Sequence, residues 1–426
     1  MSPFLLAVLS FETHVGPFLA VATALRDHGH EVAFYAGPRA SQDIAAQGLR
    51  IFPFRSLSEE LADSYVAGIV ADRRSPRRLK QHWYNFLVSQ LREQIEDLQS
   101  IADSWQPDVV VSDMALLGPF VALGDLTGIP IAVLSHVGYS MSPGPQGPVA
   151  GRAFPPDRKG FAVFQARLAR AIADFVTRDV PRGIDAFRRN MGLEPLGLRV
   201  VQYYNRVALC LVPTVAELDY QRTDLPPTVC YTGACFWPPV AAHQPDPPRM
   251  PRQRIVVDEG SLHTVEPTLL RASVEAFRDV DCDLVLVSGR SRTPGSIGAT
   301  LGQNMRLLPW RPVDTELAGA SLLITTGNTE SVLNALFHGI PVLVAPSILD
   351  QSELAWRAKW IGAGEFIPER TLSPDTIKVT AVRILGDPTY RESARHAGAI
   401  LKRRGGSREA ADLLVQLAST HTPQPT

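Results

Sequence analysis

The sequence predicts an α/β protein made of two doubly wound, Rossmann-like lobes that face each other across a cleft. Three observations support this fold class: the length, the alternation of short apolar runs with helical patterns, and a restart of that alternation after a Pro-rich stretch. A chain of 426 residues is too long for one ordinary core. Strand–helix–strand alternation implies a parallel, doubly wound sheet in each lobe.

The first lobe is expected to span residues 1–236. A Gly- and Pro-rich segment at 139–160 indicates a loop or lid rather than a packed element. Amphipathic patterns predict helices at 15–28, within about 58–104, and along 161–192. Buried-type apolar runs predict parallel strands at 4–10, 31–37, 51–54, 107–113 and 129–135.

The run at 237–253 is rich in proline and predicts a semi-rigid linker. A second lobe is then expected at 254–405, with 406–426 as the end of the C-terminal helix and a frayed tail. The last helical pattern, 388–418, is expected to pack back on the first lobe. Strands of the second lobe are predicted within RIVVDEG (254–260), DLVLVSG (283–289), MRLLPW (305–310), LLITTG (322–327), PVLVAP (341–346) and GEFIP (364–368).

Composition and charge exclude several classes of partner. Hydrophobic residues make up 45% of the chain and charged residues 20%, as in a soluble globular protein. The 42 Lys and Arg residues nearly balance the 43 Asp and Glu residues, which gives a net charge of −1. No basic block stands out, so neither nucleic acid nor an anionic membrane surface is expected as the main partner. The oligomeric state cannot be derived from the sequence.

The cysteines and the apolar runs predict a cytoplasmic protein without a membrane span. Cys210, Cys230, Cys235 and Cys282 show no metal-binding spacing and are interpreted as reduced, buried thiols. The opening run PFLLAVLS is short and lacks a basic leader, so it predicts a first strand rather than a signal peptide. No apolar run is long enough to cross a bilayer.

In the first lobe, His14 and Asp113 are the candidate catalytic residues. His14 lies where the first strand passes into the first helix, and Asp113 ends the strand VVVSD. Because sites in doubly wound sheets form at the carboxyl ends of strands, both are expected at one sheet edge. A carboxylate that accepts the imidazole N–H would orient a histidine base. The plainer alternatives are a capping or exposed His14 and an Asp113 that caps the following helix.

In the second lobe, residues 310–351 combine three features that suit a nucleotide sugar. Trp310 is a lone aromatic residue that a base could stack on, although a tryptophan after an apolar run is more often part of the core. The turn TGNTES leads into a helix at 329–338, whose first N–H groups and dipole favour an anion. Asp350 and Gln351 follow the next strand and could bind hydroxyl groups.

In the first lobe, THVGPFLAVATALRDHGHEV resembles the GHVxPxLxLAxxLxxxGHEV opening of the inverting UDP-glycosyltransferase superfamily. PDVVVSDMALLGPFVALGDLTGIP is similar to the family segment that carries the aspartate partner of the catalytic histidine. The resemblance implies the two-lobed GT-B fold, with His14 as the base that deprotonates an acceptor and Asp113 as its partner.

The second lobe carries the donor-binding motif of the same superfamily. WRPV and TTGNTESVLNALFHGIPVLVAPSILDQ match the start and the core of that motif, and DEGS and VSGR resemble loops near the diphosphate and nucleotide. The resemblance covers nearly the whole chain. The donor-binding positions that it implies are Gly260, Ser261, Arg290, Trp310, Val313, Thr326, Gly327, Asn328, Thr329, Ser331, Asp350 and Gln351.

Several departures from the family pattern fall within this motif. Thr326 stands where a phosphate-contacting histidine is usual, Asn328 replaces a glycine, and Val313 replaces a glutamine. Asn334 occupies the acidic ribose-binding position. A threonine hydroxyl can still donate to a phosphate, but one cationic donor is lost. Glu330 would repel phosphate if it faced inward, so an outward side chain that interacts with the helix dipole is expected.

The preferred interpretation is a metal-independent, inverting glycosyltransferase that needs no cofactor. It would move a sugar from a UDP or dTDP donor to a small, hydrophobic natural-product acceptor. One alternative is a nucleotide-sugar epimerase or hydrolase on the same fold. Another is a non-catalytic GT-B partner with a decayed donor site, suggested by the departures at Thr326, Asn328, Val313 and Asn334.

Overall fold

The computed structural model describes residues 1–72, 75–135, 160–219, 222–237, 253–260, 266–289, 297–347 and 351–421. Its strands form two separate sheets, the first of them from the N-terminal half of the chain. In the described residues that sheet has seven strands: β1 (Pro3–Ala7), β2 (Glu31–Ala36), β3 (Arg50–Pro53), β4 (Val109–Asp113), β5 (Ile131–Leu134), β6 (Leu209–Val212) and β7 (Val229–Tyr231).

The first sheet is parallel throughout, with the order β3-β2-β1-β4-β5-β6-β7. Strand order therefore reverses between β1 and β4, which pair from Phe4 opposite Val109 to Ala7 opposite Ser112. In doubly wound sheets the crevice beyond this reversal point is where ligands bind. The residues that follow β1 and β4 are therefore the ones that matter most for the site.

The second sheet repeats this topology. Its order is β10-β9-β8-β11-β12-β13, all parallel, and the reversal lies between β8 and β11. Asp258 at the end of β8 is paired with Thr325 at the end of β11. Within the part of the chain that the structure describes, its strands are β8 (Gln253–Asp258), β9 (Cys282–Val287), β10 (Met305–Leu308), β11 (Ala320–Thr325), β12 (Val342–Val344) and β13 (Gly364–Phe366).

Helices cover both faces of each sheet, and the central strands between them are almost wholly apolar and buried. A π-helical turn (Pro119–Leu123) precedes α6. The helices are α1 (Glu12–Asp27), α2 (Pro38–Ala46), α3 (Glu59–Ala71), α4 (Pro76–Val88), α5 (Leu91–Trp105), α6 (Gly124–Thr127), α7 (Phe161–Thr177), α8 (Asp179–Asn190), α9 (Thr268–Ala276), α10 (Asp314–Leu317), α11 (Thr329–Phe337), α12 (Gln351–Trp360), α13 (Pro374–Gly386), α14 (Pro388–Lys402) and α15 (Ser407–His421).

The C-terminal helix packs back on the first lobe, as predicted, but it is not one helix. The pattern at 388–418 divides into α14, which packs on α11, and α15, which packs on α1. Leu414 of α15 is fully buried in the core beneath α1. Gly405 and Gly406 separate the two helices, because glycine is a poor helix former. The predicted helix at 161–192 likewise divides into α7 and α8.

The segment after β6 reaches from the first sheet into the second lobe. Val215 and Leu218 pack in the core of the second lobe. Arg357 of α12 forms an ion pair of 2.8 Å with Asp219 and donates to the carbonyl oxygen of Leu218 at 2.9 Å. Both charged side chains are almost completely buried. Asp219 follows β6 of the first sheet and Arg357 belongs to α12 of the second lobe, so the pair connects the two lobes.

The strands predicted in both lobes are present, and β6 and β7 are additional strands that the sequence interpretation lacked. Cys210, Cys235 and Cys282 are buried, Cys230 is half-buried, and none of the four forms a disulfide. No helix within the described ranges has the length and apolar character needed to cross a membrane.

Candidate active site at the two reversal points

His14 and Asp113 meet at the reversal point of the first sheet. His14 lies in the first turn of α1, and Asp113 is the last residue of β4. The distance from His14 Nδ1 to Asp113 Oδ2 is 2.7 Å. The side chain of Asp113 is fully buried and that of His14 is 14% exposed, so the pair presents its imidazole, not its carboxylate, to solvent.

Backbone N–H groups hold the Asp113 carboxylate in position. Oδ2 accepts from Leu9 N at 3.1 Å, and Oδ1 accepts from Ala115 N at 2.8 Å. Since an ionised carboxylate can only accept, the bond to His14 places the imidazole hydrogen on Nδ1. In the neutral ring Nε2 then carries the lone pair, which is the state that a general base requires.

At the reversal point of the second sheet, two glycine turns approach each other. Gly260 follows β8 with φ +77°, and a Cβ there would lie 3.3 Å from Asn328 Nδ2 and 3.5 Å from Thr326 Oγ1. Gly327 follows β11 with φ +98°. A Cβ at Gly327 would lie only 2.6 Å from Val344 Cγ1. Both turns therefore require glycine, because of the positive φ at each and the crowding at Gly327.

The N-terminus of α11 lies directly beyond these turns. Asn328 is its N-cap, and Asn328 Oδ1 accepts from Ser331 N at 2.8 Å. Thr329 and Glu330 occupy the first two helical positions, where N–H groups have no acceptor within the helix. These two donors and the helix dipole form the anion-attracting part of the site.

The side-chain hydroxyls predicted to contact phosphate are bonded within the protein. Thr326 Oγ1 donates to the carbonyl oxygen of Glu259 at 3.0 Å and accepts from Gln351 Nε2 at 3.4 Å. Gln351 Oε1 accepts from both the N–H and the hydroxyl of Ser347, at 3.0 and 3.2 Å. Thr326 therefore joins the loop after β8 to the start of α12, which is a different role from the predicted donation to phosphate.

Asp258 is a member of the site that sequence reasoning missed. Its buried carboxylate accepts from Ser331 Oγ at 2.5 Å and from Gly260 N at 3.0 Å. Burial raises the pKa of Asp258, and these hydrogen bonds oppose that rise. The sequence does contain a signal for Asp258, because this residue is the last one of an apolar strand. Asp113 is singled out by the same position in the first lobe.

Glu330 lacks the solvent-exposed carboxylate that an outward side chain would have. Its side chain is partly buried, and burial raises the pKa of Glu330 to about 8, with further contributions from the Asp314 and Asp258 carboxylates. With a pKa of about 8, the neutral carboxyl is the main form of Glu330 near pH 7. In that state it does not add a negative charge beside the α11 N-terminus.

The remaining predicted positions differ in what their side chains can contact. Trp310 is half-buried just after β10. Val313 is buried in the core of the second lobe, so a ligand would meet its backbone rather than its side chain. Asn334 is also buried. Ser261, Arg290 and Asp350 lie outside the described residues.

Comparison with known proteins supports the predicted fold. Residues 271–416 match the family model described as erythromycin biosynthesis protein CIII-like, C-terminal domain. The chain is 26% identical to 4'-demethylrebeccamycin synthase of Lentzea aerocolonigenes over 429 residues, which cover 96% of this chain and 98% of that protein.

Solved structures share the fold over the full length. The glycotransferase of kitacinnamycin superposes with a TM-score of 0.77 at 21% identity and covers 98% of this chain and 99% of its own. Spinosyn rhamnosyltransferase in complex with thymidine diphosphate superposes with a TM-score of 0.69 at 18% identity, covering 97% and 100%. These similarities confirm the predicted two-lobed GT-B architecture.

We expect Gly327→Ala to destabilise the second lobe more than Gly319→Ala does. Both glycines have positive φ, where an L residue costs roughly 1–2 kcal/mol. A Cβ at Gly319 meets no atom within 4 Å, whereas one at Gly327 would overlap Val344. Urea unfolding of both variants would measure the difference. Equal losses would show that the turn after β11 relaxes freely.

We expect Glu330→Gln to stabilise the protein near neutral pH and to flatten its stability profile between pH 4.5 and 8. The pKa of Glu330 rises from its ordinary value of 4.5 to about 8 on folding. Unfolding therefore releases a proton in this window, and stability falls as pH rises, by at most about 1.4 kcal/mol per pH unit. Glutamine keeps the shape but cannot ionise.

Unfolding free energies measured from pH 4 to 9 test this expectation. Glu369→Gln is the matched control, because Glu369 is an exposed carboxylate in the short helical turn Glu369–Thr371. Parallel pH profiles for wild type and Glu330→Gln would contradict the burial of this carboxyl.

Proposed function

Given that the chain belongs to the UDP-glycosyltransferase superfamily, we propose that it transfers a sugar from a nucleotide diphosphate sugar to a hydroxyl of a small, hydrophobic acceptor. The relatives by sequence include natural-product enzymes such as 4'-demethylrebeccamycin synthase. The observation that carries the proposal is the 2.7 Å contact between His14 and the buried Asp113 at the reversal point of the first sheet.

In the proposed reaction, His14 Nε2 removes the proton of the acceptor hydroxyl while its oxygen attacks the anomeric carbon of the donor. The bond from that carbon to the diphosphate oxygen breaks, and the nucleoside diphosphate leaves with the electron pair. Attack opposite the leaving group inverts the configuration. Asp113 stabilises the imidazolium that forms, because its carboxylate already accepts from Nδ1.

The donor diphosphate is proposed to bind at the N-terminus of α11. Negative charge that develops on the leaving group would face the N–H groups of Thr329 and Glu330, which are preorganised by the Asn328 cap. A neutral Glu330 is compatible with a bound diphosphate, whereas an ionised one would repel it. Uracil and thymine nucleotides are the proposed donors, which the structure of the spinosyn enzyme with thymidine diphosphate supports. No metal ion or cofactor takes part in the proposal.

One observation favours the non-catalytic alternative. The hydroxyls of Thr326 and Ser331 are both bonded within the protein, so a diphosphate would have to compete for them or rely on backbone donors. The His14–Asp113 pair favours the enzyme, since a binding partner has no need of an oriented base. Nucleotide binding distinguishes the two, and acceptor-free turnover of the nucleotide sugar would instead indicate an epimerase or hydrolase.

We expect His14→Ala to lower the transfer rate by about 10²–10⁴-fold, the usual contribution of a general base. Nucleotide affinity should stay within a factor of two or so, because His14 belongs to the first lobe and the proposed donor site to the second. Release of nucleoside diphosphate with a panel of hydrophobic hydroxyl compounds measures the rate.

His28→Ala is the matched control, because His28 lies at the opposite end of α1, is exposed, and pairs only loosely with Asp412 at 3.5 Å. It should keep wild-type turnover. If the His14→Ala variant keeps most of its turnover, His14 is not the base.

We expect UDP or dTDP to raise the melting temperature and GDP to raise it less, since the proposed site stacks a single pyrimidine ring on Trp310. A nucleotide at 100 times its dissociation constant stabilises the folded state by about 2.7 kcal/mol. A thermal-shift series over the three nucleotides measures this. If none of the three nucleotides stabilises the protein at millimolar concentration, the result favours the non-catalytic alternative over the glycosyltransferase.

A further inference from the structure

Helix α7 exposes a continuous apolar face. Phe161, Phe164, Leu168, Ile172 and Phe175 are 71%, 60%, 52%, 41% and 51% exposed. The opposite side of the helix packs inward through small residues, and α7 contacts α4 and α8 there. Folding of a single chain gains nothing from large apolar side chains in water, so an exposed stripe of this size usually marks an interface.

The spacing of this stripe is symmetric about Leu168. Phe161 and Phe175 lie seven residues before and after it, and Phe164 and Ile172 lie four residues before and after it. At about 100° per residue, all of these side chains fall within roughly 40° of the direction of Leu168. The exposed Gln165 and Ala171 extend the same symmetry, three residues on either side.

We propose that α7 docks against α7 of a second copy of this chain, antiparallel, with a two-fold axis through Leu168. A two-fold interface uses the same patch on both copies, so the patch must be complementary to itself when reversed. Here the reversal places Phe161 against Phe175 of the second copy and Phe164 against Ile172. The proposal does not depend on the proposed function.

The size of the stripe is compatible with a dimer. From their exposures, the three phenylalanines with Leu168 and Ile172 offer roughly 500 Å² of accessible surface. Two copies would bury roughly 1,000 Å², which is near the lower limit for a specific interface before the flanking polar side chains are added.

The shape and charge of this face favour a second copy over other occupants. The stripe runs about 21 Å along a convex helix, whereas small-molecule sites are concave. Helices that bind anionic bilayers carry a strongly basic polar face. The polar flank of α7 is of mixed charge, because Arg167 and Arg170 are accompanied by Asp174, which pairs with Arg199 at 3.2 Å. Arg178, directly after the helix, lies over the Phe175 ring at 4.4 Å.

Light scattering coupled to size-exclusion chromatography of the full chain, from about 1 to 100 µM, tests the proposal. Wild type should be a dimer at the upper end, and Leu168→Arg should be a monomer, since each substituted residue would face its own copy across the axis. Val379→Arg is the matched control, because Val379 is 70% exposed on α13 and should leave the dimer intact.

Cysteine cross-linking tests the symmetry independently of any loss of stability. Under oxidation, Leu168→Cys should form a covalent dimer by itself, because a residue on the two-fold axis meets its own copy. Phe161→Cys and Phe175→Cys should cross-link when mixed but only weakly when alone. The native thiols add little background, because Cys210, Cys235 and Cys282 are buried and Cys230 is half-buried.

Two results would overturn the proposal. One is a wild-type protein that stays monomeric over the whole concentration range, and the other is a dimer that Leu168→Arg leaves intact. A monomer that sediments with vesicles of phosphatidylcholine and phosphatidylglycerol through the same face would assign it to a membrane surface instead. Neither result bears on transfer activity, which His14→Ala tests separately.

Discussion

A buried aspartate at the carboxyl end of a central strand organises each half of this protein. Asp113 ends β4 and accepts from the backbone beyond β1 as well as from His14. Asp258 ends β8 and accepts from Gly260 and from Ser331 at the start of α11. A buried carboxylate is costly unless hydrogen bonds satisfy it, so each aspartate fixes the loops that supply its donors. The two candidate halves of the site depend on these two anchors.

The sequence predicted the architecture well because parallel strands between crossover helices are buried on both faces and appear as continuous apolar runs. The prediction from sequence failed where the apolar run is short or half-buried. β7 has three half-buried residues at a sheet edge, and β6 has four residues that resemble a buried helical segment equally well. The break between α14 and α15 depends on two adjacent glycines within an otherwise continuous helical pattern.

Which residues lie at the two reversal points was predictable, but their bonding was not. His14, Asp113, Gly260 and Gly327 follow strands, and topology alone brings such positions together. The partners of Thr326 and Gln351 are set by contacts between loops far apart in sequence, for which one chain carries no local pattern. Glu330 shows the same limit. Helix position suggested a solvated carboxylate, whereas tertiary burial and two neighbouring carboxylates decided its protonation.

The chain returns to the first lobe between α14 and α15, where Gly406 N donates to Thr232 O at 2.7 Å. The buried Arg357–Asp219 pair is a further connection between the two lobes. To separate the lobes would leave two buried charges without each other, which typically costs about 3–5 kcal/mol.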